Sequence, residues 1–232
     1  MKVAICYFGL TRSTRRVYQS HHALLFAPLK AAGAAVDVYM HTWQTDTPCV
    51  WFTPAPPLDY DEYKLLEPNA YVIDKQDDFI ATIDFGRMFD AELYQRIGDS
   101  PDGEWHPRLI LNHLCALESQ KRAFRIAQAS GVAYDHVLFV RPDTQLLTPF
   151  DPLWISRPYA LLIPDFDHYS GLNDRFAALP FASAAPYACR VDEIAEFRKA
   201  NGRIVSEKYV KYIADKYYGG VSLAPFRFEL IR

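Results

Sequence analysis

Short apolar runs alternate along the chain with longer stretches of helical spacing. Residues 3–8 are apolar and end at Gly9, as a strand running into a tight turn does. Ser13 or Thr14 is placed to cap a helix whose stripe is Val17, Leu24, Leu25 and Leu29, with Pro28 bending or ending it and Gly33 closing it. Residues 36–41 give a second strand. This β-α-β opening predicts a parallel sheet with a right-handed crossover. Residues 59–66 read as a short helix and 70–74 as a third strand. Between strands two and three, Pro48, Trp51, Phe52, Pro54, Pro56 and Pro57 make residues 46–57 an ordered loop.

Residues 84–108 carry no clear period, and Asp99-Ser100-Pro101-Asp102-Gly103 is a turn. Helical spacing returns over 110–128 through Leu114, Leu117, Phe124 and Ala127. Gly131 ends that helix, and 134–141 is a strand around Val137-Leu138-Phe139-Val140. A strand at 160–164 and helices at 191–200 and 207–218 follow. The last helix is expected to be capped by Ser206 and stopped by Gly219-Gly220, before a closing strand over 221–228. The pattern predicts one α/β domain over residues 1–232. Its mainly parallel, Rossmann-like central sheet is flanked by helices.

Composition narrows the class. Half of the 232 residues are hydrophobic, which suits a packed core, and the formal charge of -3 disfavours a broad nucleic-acid surface. Cys6, Cys49, Cys115 and Cys189 are far apart and form no C-x-x-C pair, so a reducing, cytoplasmic setting is expected. No apolar stretch is long enough for a bilayer span. The apolar start runs into Thr11-Arg12-Ser13-Thr14-Arg15-Arg16 without a small-residue cleavage site, so it reads as a first strand.

In an open α/β sheet, ligands bind beyond the carboxyl ends of the strands, which directs attention to four segments. In Phe8-Gly9-Leu10-Thr11-Arg12, glycine permits close approach of the backbone and arginine offers a planar fork to phosphate. A plain turn with a solvated arginine fits as well. His41-Thr42-Trp43 ends the second strand, where Trp43 either stacks on a base or sugar or belongs to the core. Arg141-Pro142-Asp143 follows a buried strand, and Asp143 is placed either to hold Mg²⁺ or Mn²⁺ against a diphosphate or to start a turn. Asp165 and Asp167 form a D-x-D pair in a polar segment that also holds Asn173, Asp174 and Arg175. Asp174 is a candidate base, against the alternative of a surface loop. No H-E-x-x-H or G-x-S-x-G occurs.

Taken in order, these pieces resemble a family of small GT-A-type glycosyltransferases and glycosyltransferase-like proteins of bacteria and large viruses. The resemblance runs through residues 3–12, Asp37-Val38-Tyr39-Met40-His41-Thr42-Trp43, the helix with Asn112 and Ser119-Gln120-Lys121, and residues 134–143. It ends at Gly171-Leu172-Asn173-Asp174-Arg175-Phe176-Ala177. It implies a nucleotide-sugar donor across about residues 1–145, a glycan acceptor against about 146–232, and a divalent metal near Asp143. There the chain has Asp143-Thr144-Gln145 in place of the family's common D-x-D.

On this reading Gly9, Thr11, Arg12, His41, Trp43, Arg141 and Asp143 serve the donor, and Arg141 orients either Asp143 or the donor itself. Asp143, Asp165 and Asp167 are the metal candidates, and Asn173 and Arg175 lie on the acceptor side. Asp174 is the base, with Glu207 in reserve. The expected activity is sugar transfer in surface polysaccharide or glycan synthesis. The alternative is a non-catalytic nucleotide-sugar or glycan-binding module. A sulfotransferase would need a fuller phosphate-cradling loop than the first strand offers.

Overall fold

The computed structural model describes residues 1–50, 53–55 and 57–231. Trp51, Phe52 and Pro56, which the sequence assigns to an ordered aromatic loop, lie outside the described residues. Seven strands form one sheet: β1 (Lys2–Phe8), β2 (Ala35–Gln44), β3 (Ala70–Lys75), β4 (His136–Val140), β5 (Leu162–Pro164), β6 (Phe176–Pro180) and β7 (Ser222–Ala224), in the order β7-β5-β6-β4-β1-β2-β3. All neighbours are parallel except β6, which runs antiparallel to both β4 and β5. The sheet is therefore α/β and mainly parallel, as the pattern predicts.

Both faces of the sheet are covered, which explains why its central strands are apolar without alternation. In β1, Ala4, Cys6 and Phe8 join the core cluster built on the long helix α2 (Pro107–Ala129), through Ile110, Leu114, Leu117 and Phe124. Val3, Ile5 and Tyr7 point to the opposite cluster, with Leu25 and Leu29 of the helical segment that starts as α1 (Thr14–His21).

Pro28 neither ends nor visibly breaks that segment. A π-turn, His22–Phe26, precedes Ala27–Ala31. Proline has no N–H for the carbonyl four residues back, Leu24, and that carbonyl instead accepts from Phe150 N–H at 2.7 Å. The unmade helical bond is thus replaced by one that ties the helix to a distant loop.

Three further expectations are corrected. The closing strand is two: Pro225, with no N–H to give, separates Ser222–Ala224 from Phe228–Leu230, and the latter leaves the main sheet to pair antiparallel with Thr144–Leu146. Ser206 does not cap the last helix. It is the first residue of α3 (Ser206–Tyr217), and its hydroxyl donates to Glu207 Oε2 at 2.8 Å. Residues 176–180, for which the sequence pattern predicts no element, form β6; the alanine-rich run Phe176-Ala177-Ala178-Leu179 gives little β signal by itself.

Candidate active site

The reversed strand positions the site. Its register pairs Val140 with Phe176. Arg141, leaving β4, and Arg175 and Asp174, entering β6, therefore meet at one edge of the sheet, the edge where β1 delivers Gly9. A cavity of about 380 Å³ opens there, within the size range of small-molecule sites. Gly9, Arg12 and Arg141 line one side, and Asp174, Arg175 and Glu207 also line it.

The cationic side is built on one buried carboxylate. Asp143 is fully buried, and Arg141 grips it with two parallel bonds, Nε to Oδ1 at 2.8 Å and Nη2 to Oδ2 at 2.7 Å. Arg12 Nε lies 3.5 Å from the same Oδ2. Two guanidiniums thus share one negative charge, and their planar geometry fixes both side chains at the cavity wall. Gly9, at φ 96°, turns the backbone in the left-handed region that favours glycine.

A hydroxyl braces this turn from behind. Ser119, on α2, accepts Gly9 N–H at 2.8 Å and lies 2.8 Å from His41 Nδ1. His41 Nε2 is 3.1 Å from Asp74, which also receives Arg122. Burial pushes the His41 imidazole down to about 4, with the Asp74 hydrogen bond opposing that shift and Arg122 adding to it.

The acidic side comes from two segments far apart in sequence. Leu172 N–H donates to Glu207 O at 2.9 Å, which docks the loop before β6 onto the first turn of α3 and sets Asp174 and Glu207 in the same cavity. Burial raises the Glu207 pKa, and the Asp174 charge raises it further. Its own backbone N–H, Ser206 and Arg175 partly oppose the rise. Arg175 Nε is 3.8 Å from Asp174 Oδ1, and its guanidinium also pairs with Asp167.

The structure brings Gly9, Arg12, Trp43, Arg141, Asp174, Arg175 and Glu207 to the cavity. Trp43 enters as a piece of core: it is 1% exposed, its indole N–H donates to Cys115 O at 2.9 Å, and its ring stacks on Phe79. Thr11, His41 and Asn173 are buried behind the site and do not line it. Asn173 holds its own loop, donating to Phe166 O at 3.1 Å and accepting from Arg175 N–H at 3.0 Å.

The three aspartates named for a metal are not brought together. Asp143 lies beneath its arginines, Asp165 pairs with Arg227, and Asp167 with Arg175. Among the described residues no group of three or more His, Cys, Asp or Glu side chains could hold a metal ion. The donor set expected for a divalent cation is therefore not formed by the residues nominated for it.

Sequence reasoning missed one wall. Leu109, Asn112, His113 and Ala116 of α2 line the cavity at the i, i+3, i+4, i+7 spacing of a single helical stripe. The signal was present: this stripe, with Asn112 and His113 in it, lies beside the apolar positions 110, 114 and 117. His113 is 7% exposed, and its Nε2 has no hydrogen-bond partner among the described residues. Burial lowers its pKa to about 4, so the ring is neutral; the Asp174 charge opposes that shift, and Arg190 and Arg141 add to it.

No family model matches the chain, and no curated protein matches it in sequence. Similar solved structures include the galactosyltransferase LgtC in complex with donor and acceptor sugar analogs. It is 10% identical, over 97% of this chain and 73% of that one, at a TM-score of 0.46. Mouse xyloside xylosyltransferase 1 in its apo form is 8% identical over 96% and 84%, at 0.43. The apo-form glycosyltransferase GlyE of Streptococcus pneumoniae TIGR4 is 10% identical over 95% and 44%, at 0.44. With identities this low and TM-scores below 0.5, function has to be argued from the site itself.

Proposed function

We propose that the chain is a glycosyltransferase that moves a sugar from a nucleotide-diphosphate sugar to a hydroxyl of a glycan acceptor. The observation that carries this reading is a single cavity holding two guanidiniums on one buried carboxylate, Arg12 and Arg141, together with two carboxylates, Asp174 and Glu207. Glycosyl transfer needs both. As the bond between the anomeric carbon and the diphosphate breaks, negative charge grows on the leaving oxygen, and fixed cations stabilise it most where water is excluded. As the acceptor oxygen attacks that carbon, its proton must pass to a base.

The base comes from the Asp174–Glu207 pair. Glu207 is the better proton acceptor of the two roles open to it, because burial and the neighbouring charge bring its pKa closer to neutrality than an ordinary glutamate's. Asp174, which lines the same cavity, then orients the acceptor. A carboxylate base on the acceptor implies direct displacement with inversion. The free thiols Cys6, Cys115 and Cys189 accord with work in a reducing compartment, and surface polysaccharide or another cellular glycan is the product class we assign.

The test is release of nucleoside diphosphate from UDP-, GDP- and dTDP-sugars, with a panel of mono- and oligosaccharide acceptors and product anomers read by NMR. Acceptor-stimulated release of one diphosphate, with inversion, is expected. Selective donor binding without turnover under any acceptor would replace the transferase by a nucleotide-sugar-binding module.

A further inference from the structure

Two adjacent residues in the loop before β6 hold a backbone shape that their side chains do not favour. His168 O accepts Gly171 N–H at 2.7 Å, and the residues between them, Tyr169 and Ser170, sit at φ 39° and 72°. A tight turn with positive φ at both central positions suits asparagine and glycine. A tyrosine there is strained, because its Cβ crowds the backbone in the left-handed region.

That turn sets an aromatic ring at the cavity. Tyr169 is 61% exposed and yet lines the cavity that holds Asp174 and Glu207. We infer that the Tyr169 ring is a platform for a pyranose of the acceptor glycan, stacked against the C–H face of the sugar. That the sugar belongs to the acceptor rests on the transferase reading; that a sugar binds there rests on the ring.

Three observations carry it. The first is the strain itself. Most of the ring faces solvent, so packing recovers little of the cost, and residues held in this way cluster at ligand sites.

The second is how the ring is held. The Arg175 guanidinium lies 5.9 Å from its centroid, and Arg175 is anchored in turn by ion pairs to Asp167 and Asp174. A ring steadied by a cation is a flat surface of fixed orientation. The axial C–H bonds of a pyranose carry slight positive charge and match the negative face of such a ring, while the hydroxyls at the sugar's edge stay free for polar groups.

The third is the tie between the turn and the acids. Leu172 N–H, just past the turn, donates to Glu207 O at 2.9 Å, and Asn173 N–H donates to His168 Nδ1 at 3.3 Å. Tyr169, Asp174 and Glu207 therefore stand in a fixed relation in one cavity, as positioning an acceptor hydroxyl for its base requires.

Cellobiose, lactose, maltose and N,N′-diacetylchitobiose are the probes, titrated for affinity and read by saturation-transfer NMR with irradiation of the aromatic protons. At least one should bind the parent and take up saturation mainly on the axial protons of one face. Tyr169→Asn suits the turn and removes the ring. It should melt at or above the parent's Tm and bind that disaccharide about three- to tenfold more weakly. Tyr169→Phe, which keeps the ring, should hold most of the affinity. Inorganic pyrophosphate, which probes the wall of Arg12 and Arg141, should bind Tyr169→Asn as it binds the parent. Four results would overturn the inference: no disaccharide bound by the parent, parental affinity in Tyr169→Asn, an equal loss in Tyr169→Phe, or a loss in Tyr169→Asn shared by pyrophosphate or accompanied by a lower Tm. The two readings fail separately. Disaccharide binding that depends on the ring, with no transfer from any donor, removes the transferase and keeps the sugar platform. Transfer whose acceptor KM is unmoved in Tyr169→Asn removes the platform and keeps the transferase.

Discussion

A first side-chain carbon on Gly171 would fall 2.0 Å from the carbonyl oxygen of Glu207 and 2.5 Å from the backbone nitrogen of Lys208. The loop that carries Asp174 therefore lies flush against the first turn of α3, and the obstacle is backbone, which cannot turn aside. Gly171→Ala is expected to separate the loop from the helix, at a cost of roughly 1–3 kcal/mol by urea unfolding. Transfer should be lost while pyrophosphate still binds at the arginine wall. A variant with parental stability and turnover would show that the two acids need no such docking.

The acids should be separable by pH. The Asp174 charge raises the Glu207 pKa, so removing that charge lowers it. With Glu207 as base, the rate falls on the acid side as Glu207 takes up its proton. Asp174→Asn should therefore move the acid limb of kcat/KM to lower pH, at a reduced maximum. Glu207→Gln should abolish the limb together with most of the activity. An acid limb unmoved in Asp174→Asn would take Glu207 out of the role of base.

The same residue should trade stability for function. A carboxyl whose pKa is raised by folding stabilises the fold while it is protonated, and that contribution is lost as pH rises through the folded value. At neutral pH the charged Glu207 works against the fold. Glu207→Gln is expected to melt higher than the parent at pH 7, with the difference shrinking toward pH 4. A lower Tm at pH 7 would contradict this.

Ser119 tests the brace behind the cationic wall. Ser119→Ala removes the acceptor of Gly9 N–H and the hydroxyl beside His41 Nδ1, both buried. Leaving such groups unmatched costs roughly 1–3 kcal/mol each. Chemical denaturation should show a loss in that range, with a weakened pyrophosphate site as Gly9 loses its anchor. A change under 0.5 kcal/mol (about the scatter of surface substitutions) would mean that water replaces the hydroxyl.

Acid should unfold the protein early. His21, His41 and His113 each have a pKa lowered by burial to about 4. The unfolded chain takes up protons near pH 6.5 while the fold resists until about 4, so stability is full above that window. It falls through the window by about 1.4 kcal/mol per pH unit for each histidine. A Tm series from pH 7 to 4 should decline steeply, and more gently for His113→Gln. A flat series would show that these rings are not held neutral.

The sequence speaks most clearly where the chain leaves little choice. Residues 3–8 and 137–140 are apolar on both faces, which marks central strands, so Gly9, Arg12 and Arg141 at their ends were legible as cavity residues. Asp174 and Glu207 stood out in polar segments, but so did Asn173, Asp165 and Asp167, which the structure turns to other work. Nothing in a polar loop tells which side chain faces inward. Thr11 follows a strand as a ligand residue would, and His41 is expected to end one; β2 instead runs on to Gln44, so His41 lies inside the sheet, and both residues are buried as supports. Asn112 enters only through the resemblance, with no role at the site, and His113 not at all, because a helix read by its apolar stripe hides the polar positions beside that stripe. The alanine-rich β6 was lost for want of β-branched residues.

That reversed strand has a mechanical consequence. β6 hydrogen-bonds to β4 on one side and to β5 on the other, so the guanidiniums and the acid at its entrance are carried by adjoining strands of one continuous sheet. Their separation cannot be changed by a hinge between lobes, because no seam runs between them. The crossing from β5 to β6 is by contrast a loop, in which Asp167, Tyr169 and Ser170 all hold left-handed backbone and Tyr169 stands out from the surface while lining the cavity.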